Sequence, residues 1–289
     1  MFQVKLERKH LCNYLEECEN KRLSMHTLKA YRIDLNQYYD YMGMEKLEDD
    51  KAGLVSYIRF LNERYEAKTV KRKLASLHAY FCYGEYEDLI DINPLRKIRY
   101  RIKEEKSLPK TIATDHLKQL FASMSYSGKE RDIAILDILI STGIRVSELC
   151  SLKKEDVDLH EGMIRVHGKG KKERVIYLGE KVVHSLKNYE KIQKKSEYYF
   201  TNKYDQKMSE QSIRNLIHKA GDHAQISTPM TPHMFRHTFA SLLLQEEVDI
   251  RNIQYILGHS SITTTQIYTH ISNNQQKKIL IDKNPRNLI

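Results

Sequence analysis

The stretch from Thr231 to His270, TPHMFRHTFASLLLQEEVDIRNIQYILGHSSITTTQIYTH, decides how the rest of the 289-residue chain is interpreted. It contains His233 and Arg236 three residues apart, His259 directly after a glycine, and Tyr268 nine residues further on. Arginine offers forked hydrogen-bond donors to phosphate oxygens, and histidine transfers protons near neutral pH. The stretch therefore suits phosphate chemistry.

The start of this stretch predicts a helix with an anion site at its first turn. Thr231 followed by Pro232 is typical of an N-cap and a first helical position. His233 and Arg236 would then share one face of the opening turn. Both could meet one anion there, assisted by the helix N-terminus.

The end of the stretch predicts a second helix that stops at Gly258 and a third that begins at Ser260 or Ser261. His259 would lie in the turn between them, and Tyr268 on the third helix. A single histidine or tyrosine is more often a structural residue than a functional one. The ordered set is what favours a functional interpretation.

Composition sets the broad class of protein. The chain is 40% hydrophobic and 30% charged, which is typical of a soluble globular protein, and its length predicts two domains at roughly 150 residues each. An excess of 48 Lys and Arg over 38 Asp and Glu favours a polyanionic partner, because neutralising phosphates releases counterions. We find no signal peptide or membrane-spanning run, so a cytoplasmic protein without a membrane partner is expected.

The four cysteines agree with the expectation of a cytoplasmic protein. None of the four cysteines forms a C-x-x-C pair or has zinc-ligand spacing. Reduced, mostly buried thiols and no metal site are therefore expected.

The first hundred residues predict a compact helical domain. Apolar residues recur at helical spacing in four segments. These segments are Val4–Cys18, Thr27–Met42, Ala52–Tyr65 and Thr69–Tyr83.

A cluster of basic residues surrounds the start of the fourth segment. Helix N-termini favour acidic side chains, so an anionic partner such as DNA would remove the conflict. A solvated basic face explains the same residues equally well. The predicted DNA contacts are Lys68, Lys71, Arg72 and Lys73.

A charged stretch separates this domain from the next. Asn93-Pro94 interrupts the helical pattern, and the residues up to Lys110 are charged, poor in apolar side chains and contain Pro109. These features are typical of an interdomain linker. The predicted boundaries are 1–98 for the first domain, 99–110 for the linker and 111–289 for the second domain.

The second domain is predicted to be mainly helical around a buried helix at Arg131–Ser141. Gly143 breaks that helix, and Arg145 follows it. With Glu148 three residues further on, Arg145 taken alone would be read as a structural ion pair about as often as a functional residue.

A β-hairpin is predicted after this region. Met163–Val166 and Arg174–Leu178 alternate between apolar and polar residues, as strands do. Lys169 lies at the tip among glycines, which permit a tight turn, and its flexible side chain could reach a phosphate.

Several segments together resemble the tyrosine recombinase (phage integrase) family, and its bacterial Xer-like members in particular. These segments are TGIRVSEL, HGKGKKER, TPHMFRHTFA, ILGHSSITTTQIYTH, TLKAYRIDLNQY and TVKRKLASLHAYF, which span almost the whole chain. The resemblance implies a mainly α fold, with an N-terminal four-helix SAM-like core-binding domain and a mostly helical catalytic domain carrying a small β-sheet. It also implies that the protein cuts and rejoins duplex DNA at a specific site through a 3′-phosphotyrosyl bond, without metal, ATP or another cofactor.

The resemblance further implies six catalytic residues. Two arginines clamp the phosphate, a lysine protonates the departing 5′ oxygen, one histidine is the acid/base, a second histidine bonds the phosphate, and a tyrosine attacks it. In that order they are Arg145 and Arg236, Lys169, His233, His259 and Tyr268.

Family members act as tetramers, so a homotetramer on DNA, or a heterotetramer with a second recombinase, is expected in the nucleoid. The C-terminal segment 274–289 is apolar in places, and the resemblance to Xer-like proteins implies that it docks into a neighbouring subunit. Packing on its own domain is the alternative.

Two other classes of protein share part of the pattern. A non-catalytic DNA-binding protein would explain the charge but has no need of the ordered catalytic series. A type IB topoisomerase shares the tyrosine chemistry but relaxes DNA as a monomer. Among recombinases, chromosome-dimer resolution and mobile-element integration both remain open.

Overall fold

The protein is described here from a computed structural model. The described residues are 6–100, 102, 110–125, 129–168, 173–258 and 273–289. The chain divides into two compact units, Met1–Ser107 and Leu108–Ile289. Most of the predicted linker lies outside the described residues, and the predicted domain boundaries stay predictions.

Helices build the first unit, as predicted. Its described elements are α1 (His10–Asn20), α2 (Met25–Met44), α3 (Lys51–Arg64), α4 (Ala67–Tyr86) and a 3-10 helix at Pro94–Lys97. The first helix begins at His10, six residues later than the sequence pattern predicted. The core of this unit is aromatic, since Tyr38, Tyr57 and Tyr80 are all fully buried. Tyr38 and Tyr57 meet edge to face with their ring centroids 5.0 Å apart, an arrangement that aromatic rings favour.

A buried carboxylate joins α2 to α4. Asp34 on α2 accepts hydrogen bonds from Lys73 Nζ at 3.0 Å and from Ser76 Oγ at 2.9 Å. Arg72 donates to the same carboxylate. Burying a charge is costly unless it is paired and hydrogen-bonded, and Asp34 meets both conditions.

This ion pair corrects one of the predicted DNA contacts. The side chain of Lys73 is only 6% exposed and its ammonium group is paired with Asp34, so it is not available at the surface. The prediction for Lys73 is wrong because a run of basic residues does not show which of them faces inward. Lys68, Lys71 and Arg72 are exposed, and their contacts with DNA stay predictions.

We predict that Asp34→Ala lowers the free energy of unfolding of the first unit by about 3–5 kcal/mol, because it leaves the Lys73 ammonium buried and unpaired. Urea denaturation measures this loss. The matched control is Asp40→Ala, which removes an exposed carboxylate that pairs with Arg8 and is expected to cost no more than about 1 kcal/mol. An equal loss of unfolding free energy in the two variants would contradict the role of Asp34 as the partner of a buried charge.

The second unit combines helices with one small sheet. Its described helices are α5 (Thr114–Ser125), α6 (Glu130–Thr142), α7 (Val146–Ser151), α8 (Glu180–Ile192), α9 (Glu210–His223), α10 (Pro232–Gln245), α11 (Ile250–Leu257) and α12 (Asn273–Asp282). Two 3-10 helices lie at Lys154–Asp156 and Pro285–Leu288.

Across the described part of both units, no helix is both long enough and apolar enough to cross a membrane.

The sheet is antiparallel, with strand order β1-β2-β3. Its strands are β1 (Val157–Asp158), β2 (Met163–His167) and β3 (Glu173–Tyr177). The predicted hairpin corresponds to β2 and β3. Strand β1 and helix α7 were not predicted, because elements of two and six residues are too short to show periodicity.

Helix α6 is the centre of the second unit. Every residue from Ala134 to Thr142 is buried, as the apolar sequence predicted. The helix ends at Gly143, whose φ of +58° favours glycine. A Cβ atom at this position would lie only 2.6 Å from carbon atoms of Phe239 on α10 and Leu257 on α11. The end of α6 therefore packs closely against both helices.

The C-terminal segment packs on its own unit in this single chain. Leu280 is fully buried, and Asn284 donates to the Ser141 carbonyl of α6 at 3.2 Å. Arg286 forms an ion pair with the buried Asp137. The described part of the segment thus follows the alternative interpretation, and docking into a neighbouring subunit stays a prediction.

Candidate active site

Several elements of the second unit meet at the C-terminal end of α11. The helix stops at Gly258, whose φ is +63°, as the sequence predicted. The last carbonyl groups of a helix accept no hydrogen bond from within the helix and need other donors. Here the carbonyls of Ile256, Leu257 and Gly258 each accept a hydrogen bond from a different arginine.

Arg236 reaches this end from α10. The helix begins as predicted, with Thr231 as N-cap accepting from the Met234 amide at 3.3 Å. Arg236 is 8% exposed, and its Nη1 and Nη2 donate to the carbonyls of Gly143 at 2.6 Å and Leu257 at 2.8 Å. Both helix ends therefore fix the direction of this guanidinium.

Arg145 reaches the same end from the N-terminus of α7. Its Nη1 pairs with Glu148 Oε1 at 2.9 Å, and its backbone amide donates to Glu148 Oε2 at 2.9 Å. The ion pair weighed in the sequence analysis is thus present. Arg145 Nη2 also donates to the Gly258 carbonyl at 3.0 Å. Arg145 therefore forms the ion pair with Glu148 and also lies beside Arg236.

The third arginine, Arg174 on β3, was not among the predicted site residues. It binds both carboxylate oxygens of Glu148, at 3.0 and 2.8 Å, and its Nε donates to the Ile256 carbonyl at 3.0 Å. A signal was present in the sequence, since the strand period of two places Arg174 on the same face as Ile176 and Leu178, which are buried. An arginine on the inner face of a strand indicates a buried ion pair.

Charge in this cluster is unbalanced. Burial opposes the ionisation of Glu148, but hydrogen bonds and attraction from Arg174, together with bonds from Arg145, outweigh it and lower the pKa of Glu148. Burial, and then repulsion from Arg145 and Arg174, lowers the pKa of Arg236 to about 10. The cluster thus holds three guanidinium groups and one described carboxylate, Glu148, which pairs with Arg145 and Arg174. This arrangement favours binding of an anion.

The site has no described candidate for metal ligation. Within the ranges that the structure describes, no group of three or more His, Cys, Asp or Glu side chains could hold a metal ion. The positive charge described here belongs to arginine side chains.

Two histidines lie near Arg236 on α10. His233 is exposed on the first turn, where the sequence placed it. His237, which the sequence analysis left out, follows one turn later. Burial, and then repulsion from His233 and Arg236, lowers the pKa of His237. Both imidazoles therefore belong to the surroundings of the arginine cluster.

Three predicted catalytic residues, Lys169, His259 and Tyr268, lie outside the described residues. The described structure brings Arg145 and Arg236 together and places His233 on the helix that carries Arg236. The positions of the other three stay predictions.

The strand ends on either side of the segment that contains Lys169 are anchored to a neighbouring element. His167, at the end of β2, bonds Asp156 Oδ1 through Nε2 at 2.8 Å and pairs with Glu173 through Nδ1 at 3.2 Å. The bond to Asp156 is the largest cause of a raised pKa at His167, partly opposed by desolvation. Protonated His167 therefore links the adjoining ends of β2 and β3 to the 3-10 helix that contains Asp156.

We predict that His167→Gln destabilises the fold at low pH and less so as pH rises. A raised folded-state pKa means that His167 stabilises the fold below its unfolded pKa, and that this contribution is lost as pH rises through the folded value. Urea denaturation from about pH 5.5 to about pH 8.5 brackets the ordinary imidazole pKa of roughly 6.5. His160→Gln, an exposed histidine nearby, is the control, and a pH-independent effect of His167→Gln would contradict the assignment.

Comparison with known proteins identifies the family. The family model described as "Phage integrase family" matches residues 110–275, more than half of the chain. The chain belongs to the phage integrase family of tyrosine recombinases. A second model, "Phage integrase, N-terminal SAM-like domain", matches residues 11–87 and confirms the predicted class of the recombinase's N-terminal domain.

Individual relatives extend over nearly the whole recombinase. It is 43% identical to a tyrosine recombinase of Agathobacter rectalis over 297 aligned positions, covering 96% of each chain. It is 38% identical to the tyrosine recombinase XerC of Thermodesulfovibrio yellowstonii, covering 91% of each. In fold it is similar to the XerH site-specific recombinase in a pre-cleavage complex with its difH substrate, with a TM-score of 0.70 and 23% identity over 94% of this chain and 84% of that one.

Proposed function

We propose that this site-specific DNA recombinase cuts a DNA strand by attack of Tyr268 on a phosphodiester held by Arg145 and Arg236. The attack forms a 3′-phosphotyrosyl bond and releases a 5′ hydroxyl. The family membership supports the reaction class, and the ordered sequence motifs support the assignment of the tyrosine.

The arginine cluster is the observation that carries the proposal. Arg145 keeps 38% of its side chain exposed, so it can bond a ligand while Glu148 and the Gly258 carbonyl hold it. Arg236 is oriented by two carbonyls and is more deeply buried. Fixed donors stabilise the negative charge that develops on the non-bridging oxygens during in-line displacement, and each is typically worth about 10²–10³ in rate.

The remaining roles follow the chemistry of the side chains. A phenol has a pKa of about 10, so Tyr268 needs a proton acceptor, and we assign this role to His233. Lys169 would protonate the departing 5′ oxygen, and His259 would bond the phosphate in the transition state. The phosphotyrosyl bond keeps the energy of the phosphodiester, so a second 5′ hydroxyl can rejoin the strand without ATP or a metal cofactor.

The stoichiometry of strand exchange supports a tetramer on DNA. Exchanging both strands of two duplexes requires four cleavages, and each chain supplies one proposed nucleophile. A homotetramer satisfies this requirement, as does a heterotetramer with a second recombinase. Its place of action would be the nucleoid, in chromosome-dimer resolution or in integration and excision of a mobile element.

A covalent trap tests the proposed chemistry. Duplexes that the wild-type protein selects from fragmented genomic DNA are nicked beside the bound centre, so that cleavage releases a short strand and stops religation. We expect a DNA adduct on the peptide that contains Tyr268, formed in EDTA and without ATP. Tyr268→Phe should bind the same duplex with unchanged affinity and form no detectable adduct.

Tyr255→Phe is the matched control, because Tyr255 is an exposed tyrosine on α11 in the same half of the chain. It should form the adduct at the wild-type rate. An adduct that persists in Tyr268→Phe would assign the nucleophile elsewhere, and tight binding without any adduct would favour a non-catalytic DNA-binding protein. Recombinant products from two duplexes would distinguish the enzyme from a type IB topoisomerase, which yields only relaxed DNA.

A further inference from the structure

The described hydrogen bonds of Arg174 all go to acceptors inside the protein. Its side chain is 10% exposed, and each of its three nitrogen atoms donates to a described acceptor. Two of these bonds form a fork on the carboxylate of Glu148, and the third reaches the Ile256 carbonyl. A guanidinium occupied in this way holds other groups in place and is not presented to a ligand.

The groups that Arg174 holds are those that orient Arg145. Glu148 accepts two bonds from Arg174 and two from Arg145, one from the Arg145 amide and one from its guanidinium. The four bonds use both carboxylate oxygens. The position of Glu148, and with it the direction of Arg145, thus depends on both arginines.

Arg174 also supports the turn that Arg145 bonds on its other side. A Cβ atom built on Gly258 would lie 3.2 Å from Arg174 Nη1 and 3.3 Å from Arg174 Cδ, so the arginine lies directly against this residue. The Gly258 carbonyl is the second acceptor of Arg145. Both residues that anchor the Arg145 guanidinium, Glu148 and Gly258, therefore lie against Arg174.

We propose that Arg174 is a positioning residue for DNA cleavage, which fixes Arg145 for the scissile phosphate through Glu148 and the end of α11. The inference rests on the proposed function of Arg145. Lysine could not replace it, because an ammonium group is a point charge and cannot bond two carboxylate oxygens and a carbonyl in one plane.

The test compares Arg174→Lys and Arg174→Ala with wild type on a nicked duplex that traps the wild-type adduct. Urea denaturation first establishes that the variants fold. Arg174→Lys keeps the positive charge and serves as the test if Arg174→Ala does not fold. We expect adduct formation under single-turnover conditions to slow by about 10- to 100-fold in Arg174→Lys, since small misplacements of reacting groups cost this much. The final amount of adduct and the DNA affinity should stay within about 3-fold of wild type, because the fold and the remaining DNA contacts are kept.

Arg165→Ala is the matched control, an exposed arginine on the neighbouring strand β2, and it should leave the rate within about 2-fold of wild type. A purely structural role for Arg174 predicts less adduct formed at an unchanged rate constant. That result, or an unchanged rate and amount, would overturn the proposal. Glu148→Gln combined with Arg174→Lys should slow cleavage by less than the product of the single effects, because both act through one contact.

A second substrate separates this proposal from a role through the hairpin lysine. Replacing the bridging 5′ oxygen by sulfur gives a leaving group that needs no proton. The Arg174→Lys defect should persist on this substrate, and recovery to the wild-type rate would show that Arg174 acts on Lys169 instead. If the wild-type protein itself formed no adduct on any duplex, the proposed function would fail, which is a different outcome from a normal rate in the Arg174 variants.

Discussion

The carbonyl groups that α11 leaves without partners inside the helix are the constraint on which the rest of the catalytic unit depends. A helix terminus leaves carbonyls without partners, and buried guanidinium groups need acceptors. In this chain the same hydrogen bonds satisfy both groups. Three arginines from three different elements each bond one of three successive carbonyls, and they are Arg145, Arg174 and Arg236. The partial negative charge of the helix end also favours cations there. Helix packing around α6 and the sheet therefore determine where the arginines point.

The cluster of three arginines at the end of α11 carries a surplus of positive charge. Glu148 is the single carboxylate that the described structure places among the three arginines, and repulsion between them contributes to the lowered pKa of Arg236. A protein that kept such a cluster only for stability could replace it with apolar side chains at little cost. A bound phosphate would offset the repulsion and bring the cluster closest to balance. The electrostatics therefore favour an anionic ligand, as the proposed chemistry does.

Sequence reasoning succeeded where a local rule decides the conformation. Thr231 followed by proline, and Gly258 in a left-handed conformation, mark helix ends whatever the rest of the chain does. It failed where distant residues decide. Lys73 looks like its basic neighbours until the fold brings it to Asp34, 39 residues earlier in the chain. Arg174 was missed although its strand alternation was visible, because an inward arginine gains meaning only from the carboxylate that it meets.

In the proposed mechanism, Arg145 and Arg236 neutralise charge on the scissile phosphate. The most direct test replaces one non-bridging oxygen of that phosphate by a methyl group, which removes the negative charge. Arg145→Ala should slow cleavage of the normal duplex by about 10²–10³-fold and cleavage of the methylphosphonate duplex by far less, since little charge remains to be stabilised. Arg165→Ala should leave both rates close to wild type. An equal loss for Arg145→Ala on both substrates would contradict the account.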